Sequence, residues 1–507
     1  MWPVMAQMNR STGIALFSIV GLIAAVSPLT LAGQAPQGAP AGQGAPAGPG
    51  GGRFGGGPGG PGGPGGQAGR GGPGGPGGRG AAPSNLPTSP TAVALPTLSE
   101  EITGPGPIYE SVQSLPPGKT VAAANYQAKE YFVSGTANGQ PYKTRIVVRM
   151  PQDRSRFSGL VLVESMHGSG SAHMFEFTSM YTMASGHAAV EILTTPPAQN
   201  VSATNKERYK DLQLNDSQRN EIFAQVGSLV RTGRPLGGAA VRKMVLGGTS
   251  QTAAFVINYL PAHVVYRTPE NGRIYDGFMP TSNGANITQD VDVPVVHLPT
   301  MHEVAAANIT SRQDSDEPGK QYRLYEFAAI GHIDTRDNVR MKPNPCTIPM
   351  SEFPHQAYFA VGLHHLFQWV DKGIAAPHAE RIWLDRDERN DGSRMALDEH
   401  GNPRGGIRSP YVDVPVVKYS IRPPAADPVV PNASAYIASG GVQAARQMCG
   451  LAAAQTPFEA ARLKQLYKTK KNYVAMFEKR LNELEKQGWS LPVYHDMIMG
   501  DANKVNF

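Results

Sequence analysis

Cysteine is nearly absent: the chain holds two, Cys346 and Cys449, among 507 residues. No Cys/His spacing of the zinc-binding type occurs, so a structural zinc site is not expected. The two thiols could pair in an exported protein, but sequence does not place their Cα atoms, and the pairing stays open. Charge is sparse and scattered, with 46 Lys and Arg against 40 Asp and Glu, a net +6. No basic stripe interleaved with aromatics occurs, which argues against nucleic acid as a partner. Long apolar runs are missing too. The clearest candidate, Gly13 to Val26, falls short of the about 20 residues that a bilayer span needs.

That short run follows the lone charge Arg10 and precedes the small-residue ending Thr30-Leu-Ala32. The pattern reads as an export signal over residues 1–32, cut after Ala32, with a retained anchor as the alternative. The expected location is therefore periplasmic or secreted, with no transmembrane domain after cleavage. Residues 33–87 carry close to half of the 58 glycines and almost nothing apolar to bury. Without burial nothing offsets the entropy of ordering them, and the Gly-X-Y period is too irregular for collagen. They read as a disordered Gly/Pro-rich linker.

Residues 88–507 are enough for one large domain. "KEYFVSGTA" (129–137) and "TRIVVRM" (144–150) read as antiparallel strands around a turn. "GLVLVE" (159–164) is an apolar run up to its last residue, Glu164, as expected of a strand buried on both faces. Residues 187–193, 243–247, 293–298 and 324–330 repeat that pattern, with helices at about 251–260 and 355–373, the latter ending at Gly373. Alternating strands and helices predict an α/β fold, a mostly parallel sheet with helices on both faces. Residues 197–240 are polar and helical and read as a cap over the sheet's C-terminal edge. From residue 380 a C-terminal extension begins. In it, "LDEHGNPRGGIRSPYVDVPVVKY" reads as a hairpin and 457–487 as one amphipathic helix ended by Gly488.

The stretch "VLGGTSQTAAF" (245–255) places Ser250 between a buried strand and a helix. Small residues around a serine permit a turn sharp enough to expose its hydroxyl, although Thr252 stands where the G-x-S-x-G pattern has its last glycine. An N-capping serine is the structural alternative. A serine nucleophile also needs a base and an orienting acid. Strand 293–298 leads into "PTMHE", setting Glu303 just past a strand end, with Asp290, Asp292, Asp314 and Asp316 as nearby alternatives. Strand 324–330 leads into Gly331-His332, where a base would stand at the same edge of the sheet. An oxyanion needs two preorganised N–H donors. Gln251, at the helix start, is one. The other would come from the loop "SMHGSGSAH", from Met166, His167 or Gly168. His364 and His365 are adjacent on a helix and point apart, and "DRDERNDG" puts Arg389 at a would-be calcium ligand position. Nothing in the sequence asks for a metal or cofactor.

Taken together, "VLVES" with its glycine loop, "RKMVLGGTSQTAAFVINYL", "PVVHLPTMHE", "AAIGHID" and above all "DEHGNPRGGIRSPYVDVPV" make the chain resemble the bacterial "alpha/beta hydrolase domain" proteins over roughly residues 100–500. The resemblance implies an α/β-hydrolase fold and a serine hydrolase with Ser250, Glu303 and His332 as its triad. It names no substrate. The expected activity is hydrolysis of a small-molecule or polymeric carboxylic ester. An amide- or polymer-directed hydrolase and a non-catalytic binding protein are the competing readings, and oligomeric state is not legible.

Overall fold

The computed structural model describes residues 86–195, 199–305, 312–336, 341–390 and 392–507. The expected export signal and nearly all of the Gly/Pro-rich linker lie outside the described residues. Strands β1 (Thr91–Ala92) and β2 (Thr97–Leu98) precede the long pair β3 (Tyr126–Ala137) and β4 (Gln140–Pro151). Asn138 and Gly139 join that pair, both at positive φ (48° and 68°), the two-residue hairpin turn whose twist matches the strands. Next come β5 (Leu160–Ser165), α1 (His173–Ala184), β6 (Ala188–Ile192), the short α2 (Gln199–Thr204) and α3 (Lys206–Tyr209), and α4 (Arg219–Arg231). β7 (Lys243–Thr249), α5 (Gln251–Val265), β8 (Tyr266–Arg267), β9 (Gly277–Thr281), β10 (Val295–His297), α6 (Met301–Ala305), β11 (Tyr322–Leu324) and α7 (His355–Lys372) complete the main unit. The extension holds α8 (Pro410–Asp413), β12 (Val417–Ile421), α9 (Ala435–Leu451), β13 (Ala453–Pro457), α10 (Ala460–Tyr467), α11 (Lys470–Gln487) and α12 (His495–Lys504).

Nine strands form one sheet in the order β11-β10-β9-β7-β5-β6-β4-β3-β2. β5 to β11 run parallel, and β4, β3 and β2 add an antiparallel edge. The unbroken apolar runs follow from this position. Leu160 and Leu162 enter the core on one face, while Val161 and Val163 enter the core on the other. α1 and α7 cover the first face; α4 and α5 cover the second. The chain is thus an α/β fold with helices on both faces of a mostly parallel sheet, as the alternation of elements predicts.

Several expectations need correction. β9 was not anticipated. Its sequence, Gly-Phe-Met-Pro-Thr, carries two residues that normally argue against a central strand, yet it lies between β7 and β10. The strand expected over 324–330 stops at Leu324, because residues 326–328 pair instead with Ile407 of the extension. The segment expected to cap the sheet divides. Ile222, Phe223, Val226 and Leu229 of α4 are fully buried on the sheet face, so α4 is a layer helix. Only the short α2 and α3 lie by the strand ends, where Val201 and Tyr209 pack on Met166 and Leu193.

In the extension, the turn at Asp398–Asn402 forms, but β12 pairs antiparallel with β13 rather than back across that turn. The single helix expected over 457–487 breaks at Lys468, where φ is 66°. Thr469 then caps α11 through its side chain, and Gly488 ends it in the left-handed conformation. The extension joins the α1/α7 core through Tyr419, Tyr473, Phe477 and Ile498. Cys346 and Cys449 form a disulfide with a Cα separation of 5.8 Å. Among the described residues no helix is long and apolar enough to cross a membrane.

Candidate active site

Ser250 stands alone between β7 and α5, with φ 56° and ψ −115°, a conformation L-residues rarely adopt. Its neighbours make the turn this tight. A Cβ on Gly248 would lie 2.3 Å from the Thr252 carbonyl oxygen, so only glycine fits. Thr252, which departs from the expected glycine, closes the turn with its own side chain. Its hydroxyl accepts from the Thr249 N–H at 2.8 Å and donates to the Thr249 carbonyl at 2.9 Å. The Ser250 N–H donates to Thr281 O of β9, and the Asn283 carboxamide donates to Ser250 O. The turn therefore hangs from the strand that sequence reading missed. Ser250 makes no side-chain cap bond to α5, so the capping alternative does not hold.

The Ser250 hydroxyl lies 2.8 Å from His332 Nε2, and His332 Nδ1 lies 2.6 Å from Glu303 Oε1. Because Nδ1 faces a carboxylate, it carries the ring proton, leaving Nε2 as the acceptor for the serine hydroxyl. Glu303 Oε2 accepts from both the N–H (2.7 Å) and hydroxyl (2.6 Å) of Thr300. Burial alone would raise the Glu303 pKa. The adjacent His332 and the Thr300 hydroxyl outweigh burial and hold it at about 2, so the carboxylate is ionised. The alternative acids are engaged elsewhere: Asp290 with Arg312, Asp292 with His263 and Arg273, Asp314 with Arg381, Asp316 with Arg323. His332 reaches the site from an irregular loop eight residues past the end of β11, not from a strand end.

The donors expected around the serine separate. Gln251 is the first residue of α5, so its N–H has no intrahelical acceptor and sits at the positive end of the helix dipole. The His167 N–H is already used by Ser171 O at 2.9 Å, which removes His167 as an oxyanion donor. Met166 N–H is likewise used, by Ile192 O. The Gly168 N–H donates to the Gln251 side-chain oxygen at 2.9 Å, so this loop and the α5 start are in contact. Thr300, Asn283 and His302 were not singled out from sequence. Among the described residues no cluster of three or more potential metal ligands occurs.

A family model described as "Alpha/beta hydrolase domain" matches residues 100–500. The chain belongs to this family. The α/β-hydrolase chain has no match among curated proteins. Among solved structures, esterase Est22 aligns at 10% identity over 33% of this chain and 48% of its own, with a TM-score of 0.25. This α/β-hydrolase chain thus spans about half of Est22. LpqC, a poly(3-hydroxybutyrate) depolymerase from Bordetella parapertussis, aligns at 12% identity over 50% of this chain and 91% of its own, TM-score 0.30. A cold-adapted esterase from an Arctic intertidal metagenomic library aligns at 12% identity over 40% and 84%, TM-score 0.24. Scores of this size say nothing about substrate.

Proposed function

We propose that this α/β-hydrolase is a serine hydrolase of carboxylic esters, with Ser250 as nucleophile, His332 as base and Glu303 as orienting acid. The observation that carries the reading is the unbroken chain Ser250 Oγ, His332, Glu303 at a strained strand-to-helix turn. Ser250 Oγ attacks the ester carbonyl carbon as its proton passes to His332 Nε2. The ionised Glu303 stabilises the imidazolium that forms. Negative charge on the carbonyl oxygen is met by the Gln251 N–H and the α5 dipole. Collapse of the tetrahedral species expels the alcohol, which takes the proton from His332. Water then repeats the sequence on the acyl-serine and releases the acid. No metal or cofactor enters any step. Export to the periplasm or medium is part of this reading and rests on the apolar run Gly13 to Val26.

A fluorophosphonate probe tests it. The purified protein should label at Ser250 and hydrolyse short-chain p-nitrophenyl esters. Ser250→Ala should abolish labelling and lower kcat by about 10⁴-fold or more. A folded wild-type sample that neither labels nor hydrolyses any ester would favour a binding protein on this scaffold.

A further inference from the structure

His302 directly precedes Glu303, and both residues hold His332. Glu303 holds the ring at Nδ1; His302 holds the backbone, since the His332 N–H lies 3.2 Å from His302 Nδ1. The other ring nitrogen of His302, Nε2, lies 3.1 Å from the Ala452 carbonyl oxygen. These partners leave one protonation state. A peptide N–H can only donate, so Nδ1 must present a lone pair. A carbonyl can only accept, so Nε2 must carry the proton. His302 is therefore the neutral Nε2–H form. Burial, aided by nearby His332 and Arg422 and opposed by Glu303, keeps its pKa down at about 3.

Ala452 is not an arbitrary anchor. The residues on both sides of His332 are bound to the same short segment of the extension. Ile333 N–H donates to Leu451 O at 3.0 Å, and Ala453 N–H donates to Ile333 O at 3.0 Å. Gly331 packs so closely that a Cβ there would lie 2.3 Å from the Ala453 Cβ. Behind them, Ala452, Met350 and the Cys346–Cys449 pair form a small core of their own, with Ile333 against it. A base delivered by an irregular loop needs such a frame, because nothing in a sheet ladder fixes it.

We propose that His302 is a positioning residue, a hydrogen-bond bridge that fixes the His332 backbone to the Ala452 carbonyl and makes residues 451–453 of the C-terminal extension part of the frame for the catalytic base. The proposal rests on the serine-hydrolase reading above.

The test compares His302→Leu, His302→Asn, His302→Gln and Ser250→Ala in the full chain, with a short-chain p-nitrophenyl ester as substrate. In His302→Asn the side-chain oxygen stands near the Nδ1 position and can still accept from His332. In His302→Gln the amide stands near Nε2, keeps the Ala452 bond and leaves the His332 N–H without its acceptor. His302→Leu and His302→Gln should lower kcat by roughly 10- to 100-fold with KM little changed, the scale expected for a small misplacement of a catalytic group. His302→Asn should recover most of that loss. The downfield NMR resonance of the His332 Nδ1 proton should broaden or shift in the Leu and Gln variants and persist in Asn. If His302→Leu does not fold, the Asn and Gln pair decides alone. Equal kcat in Asn and Gln, or wild-type kcat in a folded Leu variant, would overturn the proposal. Activity that survives Ser250→Ala would instead overturn the serine-hydrolase reading beneath it.

Discussion

Glu303 stays ionised in a buried place because three donors, His332 Nδ1–H and the Thr300 N–H and hydroxyl, surround its carboxylate. That has a consequence for acid stability. The folded pKa, about 2, lies below the ordinary 4.5, so the unfolded chain binds the proton more readily. The stabilisation is complete above about pH 4.5 and drains away as pH falls toward 2. Glu303→Gln removes the titration. Urea unfolding across that window should show a shallower decline for the variant than for wild type; parallel curves would mean that Glu303 is not the ionised partner of His332. The same change should lower kcat by about 10³- to 10⁴-fold, since an amide facing Nδ1 moves the ring proton to Nε2 and turns it toward Ser250. Ser250 and Glu303 were legible from residue type and place past a strand end; His332 was legible from its type and chain order alone, since the strand expected to deliver it stops at Leu324. Thr300, Asn283 and His302 were not legible, since a hydroxyl, an amide and a buried neutral imidazole carry no spacing signal. Thr252 looked like a defect in a motif and is a working part of the turn.

Elements were legible where burial on both faces enforces an unbroken apolar run, as in β5 and β7, and where turn chemistry is explicit, as at Asn138-Gly139. They were not legible where tertiary pairing overrides local preference. Pro280 sits in β9 although proline is poor there, and residues 326–328, expected to continue a strand, take Ile407 as a partner instead. The break between α10 and α11 is of the same kind. The apolar period runs on through it, but Lys468 adopts φ 66°, ψ −54°, and the Thr469 N–H bonds back to Tyr467 O at 2.8 Å. This is a three-residue turn of the strained sort, which a side chain at its centre makes worse. Lys468→Gly should therefore stabilise the protein, by about 1 kcal/mol, and Lys468→Val should destabilise it. Thermal and urea unfolding of the two variants measure the difference, and a loss of stability in the glycine variant would show that Lys468 contributes contacts worth more than its strain.

Over the whole molecule, the antiparallel edge is tied together by a buried charge network that no sequence window contains. Val147 of β4 is paired with Glu130 on one side and Glu191 on the other, which sets both carboxylates between Arg145 and Arg149. Arg145 donates to Glu130 (2.5 Å) and Glu191 (2.9 Å), and Arg149 to Glu191 (3.0 Å). Arg208 of α3 donates to Glu130 at 2.7 Å, and the Tyr109 carbonyl and Ser111 hydroxyl take part from the N-terminal segment. All five charged side chains are almost wholly buried. Such a network adds little over an apolar replacement of equal shape but becomes costly once one member is missing. Its charged members come from positions up to 78 residues apart, so sequence showed only scattered charges in apolar strands. Glu191→Ala would leave Arg145 and Arg149 facing an empty, dry site. It should cost about 3–5 kcal/mol in urea unfolding, whereas removing an exposed ion pair such as Lys320–Glu317 should cost less than about 1 kcal/mol. A Glu191→Ala loss as small as that of the exposed pair would mean that water enters the site and that the N-terminal segment and α3 are held by their apolar contacts alone.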